Sequence, residues 1–213
     1  MARIVVIGGT GYAGGHIVAE AASRGHDVIA ISRTAPENPV DGVTYVQGDV
    51  LNVEALGDVF DGAEAAVSAL SPRGDMSDKV LDALRGLVAK LRGTKTRLGI
   101  VGGAMGSLSA PGGPSLWDLG VPDELKHEAG VGVDSLELVR NAGDDLDWFF
   151  VHPPKLFGPW APGERTGHYR DGGDVVVEAA DGSSTISGED FALAVVDEIE
   201  QGNHHRERFT VGY

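Results

Sequence analysis

Near its N-terminus the chain reads RIVVIGGTGYAGGHIVAEAASRG, an apolar β-branched run that passes into three glycines spaced three apart, Gly8, Gly11 and Gly14. Ile17, Val18 and Ala21 then recur at helical spacing. This stretch constrains the fold more than any other. A strand that feeds a helix through a tight turn is the first half of a βαβ unit, so the next strand runs parallel to the first. Each glycine has its own physical reason, whether a sharp exit from the strand, close approach of backbone to a pyrophosphate, or close contact between helix and strand. The N–H groups that open the helix have no partner within it and carry a partial positive charge, which suits phosphate oxygens. Among 32 glycines the spacing alone arises easily by chance. Its position at the first strand-to-helix junction is what points to a dinucleotide.

The remaining chain repeats the alternation. Strands are predicted over 3 to 8, 26 to 32, 43 to 47, 63 to 70, 97 to 101 and 146 to 151. The clearest helix is predicted over 77 to 92, where Val80, Leu84, Leu87 and Leu91 share one face. Short β-branched runs separated by helices make a parallel sheet, so the expected fold is α/β, a Rossmann-like doubly wound parallel sheet. With 42% hydrophobic residues in 213, the chain can build one continuous core, and residues 1 to 213 read as a single domain. Residues 153 to 213 are expected to cap its substrate side. They begin rich in Pro and Gly, include the β-like run DVVVEA in a loop and hairpin, and end in a helix with Ser187 at its N-cap and Asp190 at N3, then a possible strand RFTVGY.

Thirty-two acidic against 17 basic residues give a formal charge of -15. That balance opposes nucleic acid and anionic membrane surfaces, and any bound phosphate must be held by local groups. The absence of cysteine removes thiol nucleophiles, disulfides and zinc-thiolate sites. His204 and His205 are adjacent in a polar turn without a carboxylate cluster to complete a ligand set, so no metal site is expected. The start of the chain has no leader signature and no apolar run reaches eighteen residues, which predicts a cytoplasmic protein.

An enzyme that prefers NAD usually ends its second strand on an acidic residue that binds the ribose hydroxyls. Here the chain reads ISRT. Arg33 can pair with a 2′-phosphate, with Ser32 or Thr34 donating beside it, so NADP is expected over NAD. Asp49 follows the third strand and has two readings: an acceptor for the adenine amino group, or the cap of a helix starting near Leu51.

IGGTGYAGG, SR after the second strand, GDV after the third, SALSP after the fourth and HPP after the sixth together resemble the atypical short-chain dehydrogenase/reductases. GGAMGSL, DLDWFFVHPP, GERTGHYR and TISGEDFALAVVDEIE are similar to their NADH-flavin reductase group, which is related to biliverdin-IXβ reductases and NmrA-like proteins. The resemblance covers essentially the whole chain. It implies that Ala69, Leu70 and Ser71 pack near the ribose and nicotinamide, that Gly102 to Ser107 floor the nicotinamide pocket, and that His152, Pro153 and Pro154 border it. The expected cofactor contacts are Gly8, Thr10, Gly11, Tyr12, Ala13 and Gly14 in the loop. Ser32, Arg33, Asp49 and Val50 follow, then Ala69, Leu70, Ser71, Gly102, Gly103 and Pro153.

The chain departs from the commoner dehydrogenases in one respect. None of its four tyrosines has a lysine four residues on, so the Tyr-x-x-x-Lys proton donor is missing. Hydride transfer to a flavin needs ring stacking more than an acid. The implied activity is NAD(P)H-dependent reduction of a flavin (FMN or FAD), a quinone or a similar small planar acceptor. An NmrA-like sensor without turnover and a sugar-nucleotide epimerase or dehydratase are the alternatives, and the chain is expected to be a monomer or homodimer. The catalytic candidates are Ser107, near where some relatives place a Ser or Thr, together with His152 and Lys126. Lys126 and His127 also read as solvated helix residues, and His152 as a structural hydrogen bond. Trp117, Phe157 and Trp160 are either an aromatic wall or loop packing.

Overall fold

Strand β1 (Arg3–Ile7) is buried on both faces, with Ile4 and Val6 turned to one side of the sheet and Val5 and Ile7 to the other. Only a central strand of a sheet covered on both sides has this pattern. The computed structural model describes every residue from Met1 to Tyr213. Around β1 lie β2 (Asp27–Ser32), β3 (Thr44–Gln47), β4 (Ala65–Ser68), β5 (Arg97–Val101), β6 (Trp148–His152), β7 (Arg170–Asp171) and β8 (Glu207–Gly212). Their order is β3-β2-β1-β4-β5-β6-β8-β7. Every pairing is parallel except that of the two-residue edge strand β7 with β8. The fold is Rossmann-like α/β, and its strand order reverses between β1 and β4. Ligands of open α/β sheets bind at such a switch point, beyond the carboxyl ends of the strands.

Helices α1 (Tyr12–Ser23) and α4 (Gly188–Gln201) cover one face, where Ile17, Val18, Phe191 and Val195 meet Phe149 and Val151. Helices α2 (Val80–Leu91) and α3 (Lys126–Arg140) cover the other, where Leu84, Leu87 and Leu136 meet Trp148 and Phe150. The alternation of residues 148 to 151 thus feeds two cores at once. Four phenylalanines, 149, 150, 191 and 209, are fully buried, each worth about 1.5 to 3 kcal/mol of transfer free energy. No helix is long and apolar enough to cross a membrane.

Four expectations change. The last helix is a layer of the sandwich packed beside α1, not a lid over the end of the sheet, and Ser187 caps it by accepting from the N–H of Asp190 at 3.0 Å. The closing strand, β8, enters the sheet beside β6. Residues 174 to 179 form no strand, because side chains take the carbonyls a ladder would use: Thr210 donates to Val175 and Ser184 to Val177, the latter at 2.7 Å. The segment after β3 is a 3-10 stretch, Val50–Phe60, broken at Asn52 and Gly57 rather than a regular helix.

Candidate cofactor and active site

A cleft of about 1020 Å³ opens over the carboxyl ends of β1, β2, β4, β5 and β6. Its near wall is the glycine loop. Gly8 makes the turn with φ +80°, where a Cβ would also sit 3.0 Å from the carbonyl oxygen of Ala69. A Cβ on Gly14 would collide with the carbonyl oxygen of Gly8, so this third glycine lets α1 rest against the turn. Gly11 is different. Its backbone is extended, at φ -78° and ψ 176°, and a Cβ there would meet only Gly8 oxygen at 3.3 Å. Backbone strain does not demand glycine at 11, and packing opposes a Cβ only through this one tight contact, far milder than the collision at Gly14; Gly11 also lines the cleft, which Gly14 does not.

Gly11 is also the N-cap of α1, with no side chain capping that end. The first-turn N–H groups therefore face the cleft beside Thr10, Tyr12 and Ala13, which line it too. An uncapped helix start and a glycine that lines the cleft are what a pyrophosphate needs, so the loop fits a dinucleotide. The phenol oxygen of Tyr12 is buried with no hydrogen-bond partner. Burial first, then the charge of Glu189, raises its pKa, so it is a weak proton donor.

The walls continue along the carboxyl ends of the strands. Beside β2, Ser32 and Arg33 line the cleft, with the Arg33 guanidinium 3.5 Å from the carboxylate of Asp75. Asp49 and Val50 follow β3, and the Asp49 carboxylate accepts from Leu51 N–H at 3.0 Å, so its capping role is formed. Ala69, Leu70 and Ser71 form the middle, and Gly102, Gly103 and Pro153 the far part. A Cβ on Gly102 would strike Phe150, whereas at Gly103 it would meet nothing within 4 Å.

The three catalytic candidates do not reach this space. His152 is 0% exposed and its Nδ1–H donates to the carbonyl of Gly103 at 2.7 Å, leaving Nε2 buried without a partner. Burial brings its pKa down to about 4, against a smaller opposing effect of the Gly103 bond. The ring is neutral at neutral pH and acts as a tie between the end of β6 and the loop after β5. Ser107 is likewise fully buried, its hydroxyl facing no polar partner. Lys126 is solvated at the start of α3, 2.5 Å from Asp123, and lies outside the cleft, as does His127, which bonds Ser77. Of the aromatic residues, Phe157 and Trp160 line the cleft, while Trp117 packs against Gly130 of α3.

Sequence reasoning singled out Trp160 but missed Arg73 and Glu128, which hold it at the mouth of the cleft. Arg73, in the loop after β4, forms a two-pronged ion pair with Glu128 of α3 at 2.7 and 2.8 Å, and its guanidinium lies 4.5 Å over the Trp160 ring. All three line the cleft. Over two turns of α3 the chain presents Glu128, Gly132 and Ser135 to the cleft, with no tyrosine or lysine among them.

Comparison with known proteins agrees with this geometry. The chain is 35% identical to the Bacillus subtilis protein YwnB over 212 residues, 98% of this chain and 97% of YwnB. It superposes with a TM-score of 0.88 and 33% identity on a candidate NADH-flavin reductase of Streptococcus pneumoniae, covering 100% of this chain and 99% of that one. A candidate epimerase of Bacteroides thetaiotaomicron gives a TM-score of 0.86 and 32% identity, with 100% and 97% covered. The sequence profile for NAD(P)H-binding proteins matches residues 8–202, from the turn of the glycine loop to the end of the last helix, and the chain belongs to that NAD(P)H-binding family.

Proposed function

We propose that the protein is an NADPH-dependent oxidoreductase that passes a hydride to a planar acceptor such as a flavin or a quinone. A bound nicotinamide dinucleotide supplies the hydride. The chain's own residues bind and orient. The helix start and glycine loop take the pyrophosphate, Arg33 favours a 2′-phosphate, and Ala69 to Ser71 with Gly102 and Gly103 leave a smooth floor.

The observation that carries this reading is the mouth of the cleft, where Trp160, Phe157 and the Arg73 guanidinium offer flat surfaces and the two titratable groups beside them, Glu128 and Lys155, are each engaged in an ion pair, with Arg73 and Glu178. Tyr12 holds its proton tightly, and His152 and Ser107 are sealed away. Reduction of an isoalloxazine or quinone is compatible with such a site because solvent can deliver the proton, whereas sugar epimerisation needs a positioned acid or base. The resemblance to the Streptococcus pneumoniae protein supports the same choice. Mixing the purified protein with NADPH and then FMN or menadione tests it: NADPH absorbance should fall with turnover. Tight NADPH binding with flat absorbance across flavins, quinones and tetrapyrroles would replace it with the sensor reading.

A further inference from the structure

We infer that Asp75 sets the cofactor preference of the cleft by competing with a 2′-phosphate for Arg33. The inference rests on the adenosine moiety lying beside the end of β2. There the charged groups that line the cleft are Arg33, Asp49 and Asp75, one cation against two carboxylates. The Arg33 Nη1 stands 3.5 Å from Asp75 Oδ2, at the loose limit of an ion pair, with side chains 51% and 82% exposed. An incoming phosphate can displace so weak a partner, but it remains close to the carboxylate it has displaced.

Both partners are held from behind. Gln47 donates from Nε2 to the carbonyl of Arg33 at 2.9 Å, and the Ser32 hydroxyl donates to Thr34 oxygen at 2.5 Å, so the backbone that presents Arg33 is fixed. Asp75 sits in the short 3-10 turn Gly74–Met76. Gly74 turns the chain with φ +54°, and the Met76 side chain is buried beneath it. Two residues earlier Arg73 fastens the same loop to Glu128. The backbone that carries Asp75 is therefore held beside Arg33, and its negative charge stays in the neighbourhood when a phosphate arrives. A cofactor that ends in a ribose 2′-hydroxyl meets the opposite situation, since that hydroxyl can donate to Asp75. One residue thus penalises NADPH and assists NADH, while Arg33 does the reverse.

Titration calorimetry with NADPH and with NADH on the wild type and Asp75→Asn tests the inference without requiring turnover. Asp75→Asn should tighten NADPH about fivefold at low salt while NADH stays within about twofold or weakens, and the gain should shrink towards unity near 0.5 M salt. In an Arg33→Ala background the same substitution should give less than about half of that gain, because the competition has been removed. Equal changes for both cofactors, or none, would overturn the inference. A wild type that binds neither cofactor would instead overturn the dinucleotide reading on which it stands. Asp75 is exposed, so the variant keeps its fold, which unchanged thermal unfolding verifies.

Discussion

The Nδ1–H of His152 donates to the carbonyl of Gly103 at 2.7 Å inside a site with no solvent contact, joining the end of β6 to the loop that floors the far end of the cleft. Its pKa of about 4 lies below the ordinary 6.5 because burial disfavours the charged ring. As pH falls the unfolded chain takes up the proton first. The stabilisation is therefore complete above about pH 6.5 and is lost progressively down to about pH 4, amounting to roughly 3 kcal/mol. His152→Asn, whose side-chain amide can keep the bond to Gly103, should flatten urea-unfolding stability between about pH 7 and 4.5. An undiminished slope in that variant would place the acid sensitivity elsewhere.

Gly11 and Gly14 should respond oppositely to the same substitution. Gly14→Ala drives a methyl into the carbonyl of Gly8, so it should lower stability by about 1 to 3 kcal/mol. Gly11→Ala makes one tight contact, 3.3 Å from the backbone oxygen of Gly8, and should cost less than about 1 kcal/mol. Gly11 lines the cleft, and NADPH affinity should fall at least about tenfold, or 1.4 kcal/mol. Calorimetric titration beside a melting curve separates the two effects, and a Gly11→Ala protein that binds NADPH normally would remove the pyrophosphate from this loop.

The parts of the molecule that were legible in the sequence are those governed by local period. β1, the glycine turn and α1 follow from residues 3 to 23 alone, and the Ser187 cap from one short motif. Pairing across long separations was not legible. Nothing local tells β8 to enter beside β6, and residues 174 to 179 look like a strand until Thr210 and Ser184 are seen to hold their carbonyls. Arg73 and Asp75 lie in an aperiodic loop whose partners are 55 and 42 residues away. His152 could have been read better. It shares strand parity with Phe150, which faces the α2 and α3 core, and their rings lie 4.9 Å apart, so alternation directs it inward rather than to the ligand edge.

Asp190 ties the loop at Thr166 and Gly167 to Tyr213. Its buried carboxylate accepts from Thr166 N–H at 2.6 Å, from Gly167 N–H at 2.9 Å and from the hydroxyl of Tyr213. Burial by itself would raise its pKa, yet these bonds together carry it below the usual carboxylate value, so its stabilisation is complete above that value and is lost as pH falls below it. Asp190→Ala removes every bond that holds Thr166, Gly167 and Tyr213 to α4 and should cost roughly 1.5 to 3 kcal/mol, while Tyr213→Phe, which removes one, should cost about 1 kcal/mol. Chemical denaturation of both variants reads the difference, and equal losses would mean that the hydroxyl of Tyr213 carries the whole tie.

Trp160 is 56% exposed, an unusual position for so large an apolar side chain, and it is kept there from both sides. Gly158 passes so close that a Cβ would lie 2.5 Å from the indole, and Arg73, clamped by Glu128, covers one ring face at 4.5 Å. Holding a flat aromatic surface at the mouth costs the chain hydrophobic burial, and a stacked acceptor would recover it. Trp160→Ala should therefore raise the KM for menadione or FMN about tenfold, with the NADPH dissociation constant within about twofold of wild type. Glu128→Gln should weaken the grip on Arg73 and raise the same KM by a smaller factor, more at low salt than at high. Steady-state kinetics with the acceptor varied at saturating NADPH distinguishes these effects from loss of cofactor. If Trp160→Ala changes neither KM nor kcat for any planar acceptor, the mouth of the cleft does not hold the acceptor, and hydride transfer must take place deeper, over Gly102 and Gly103.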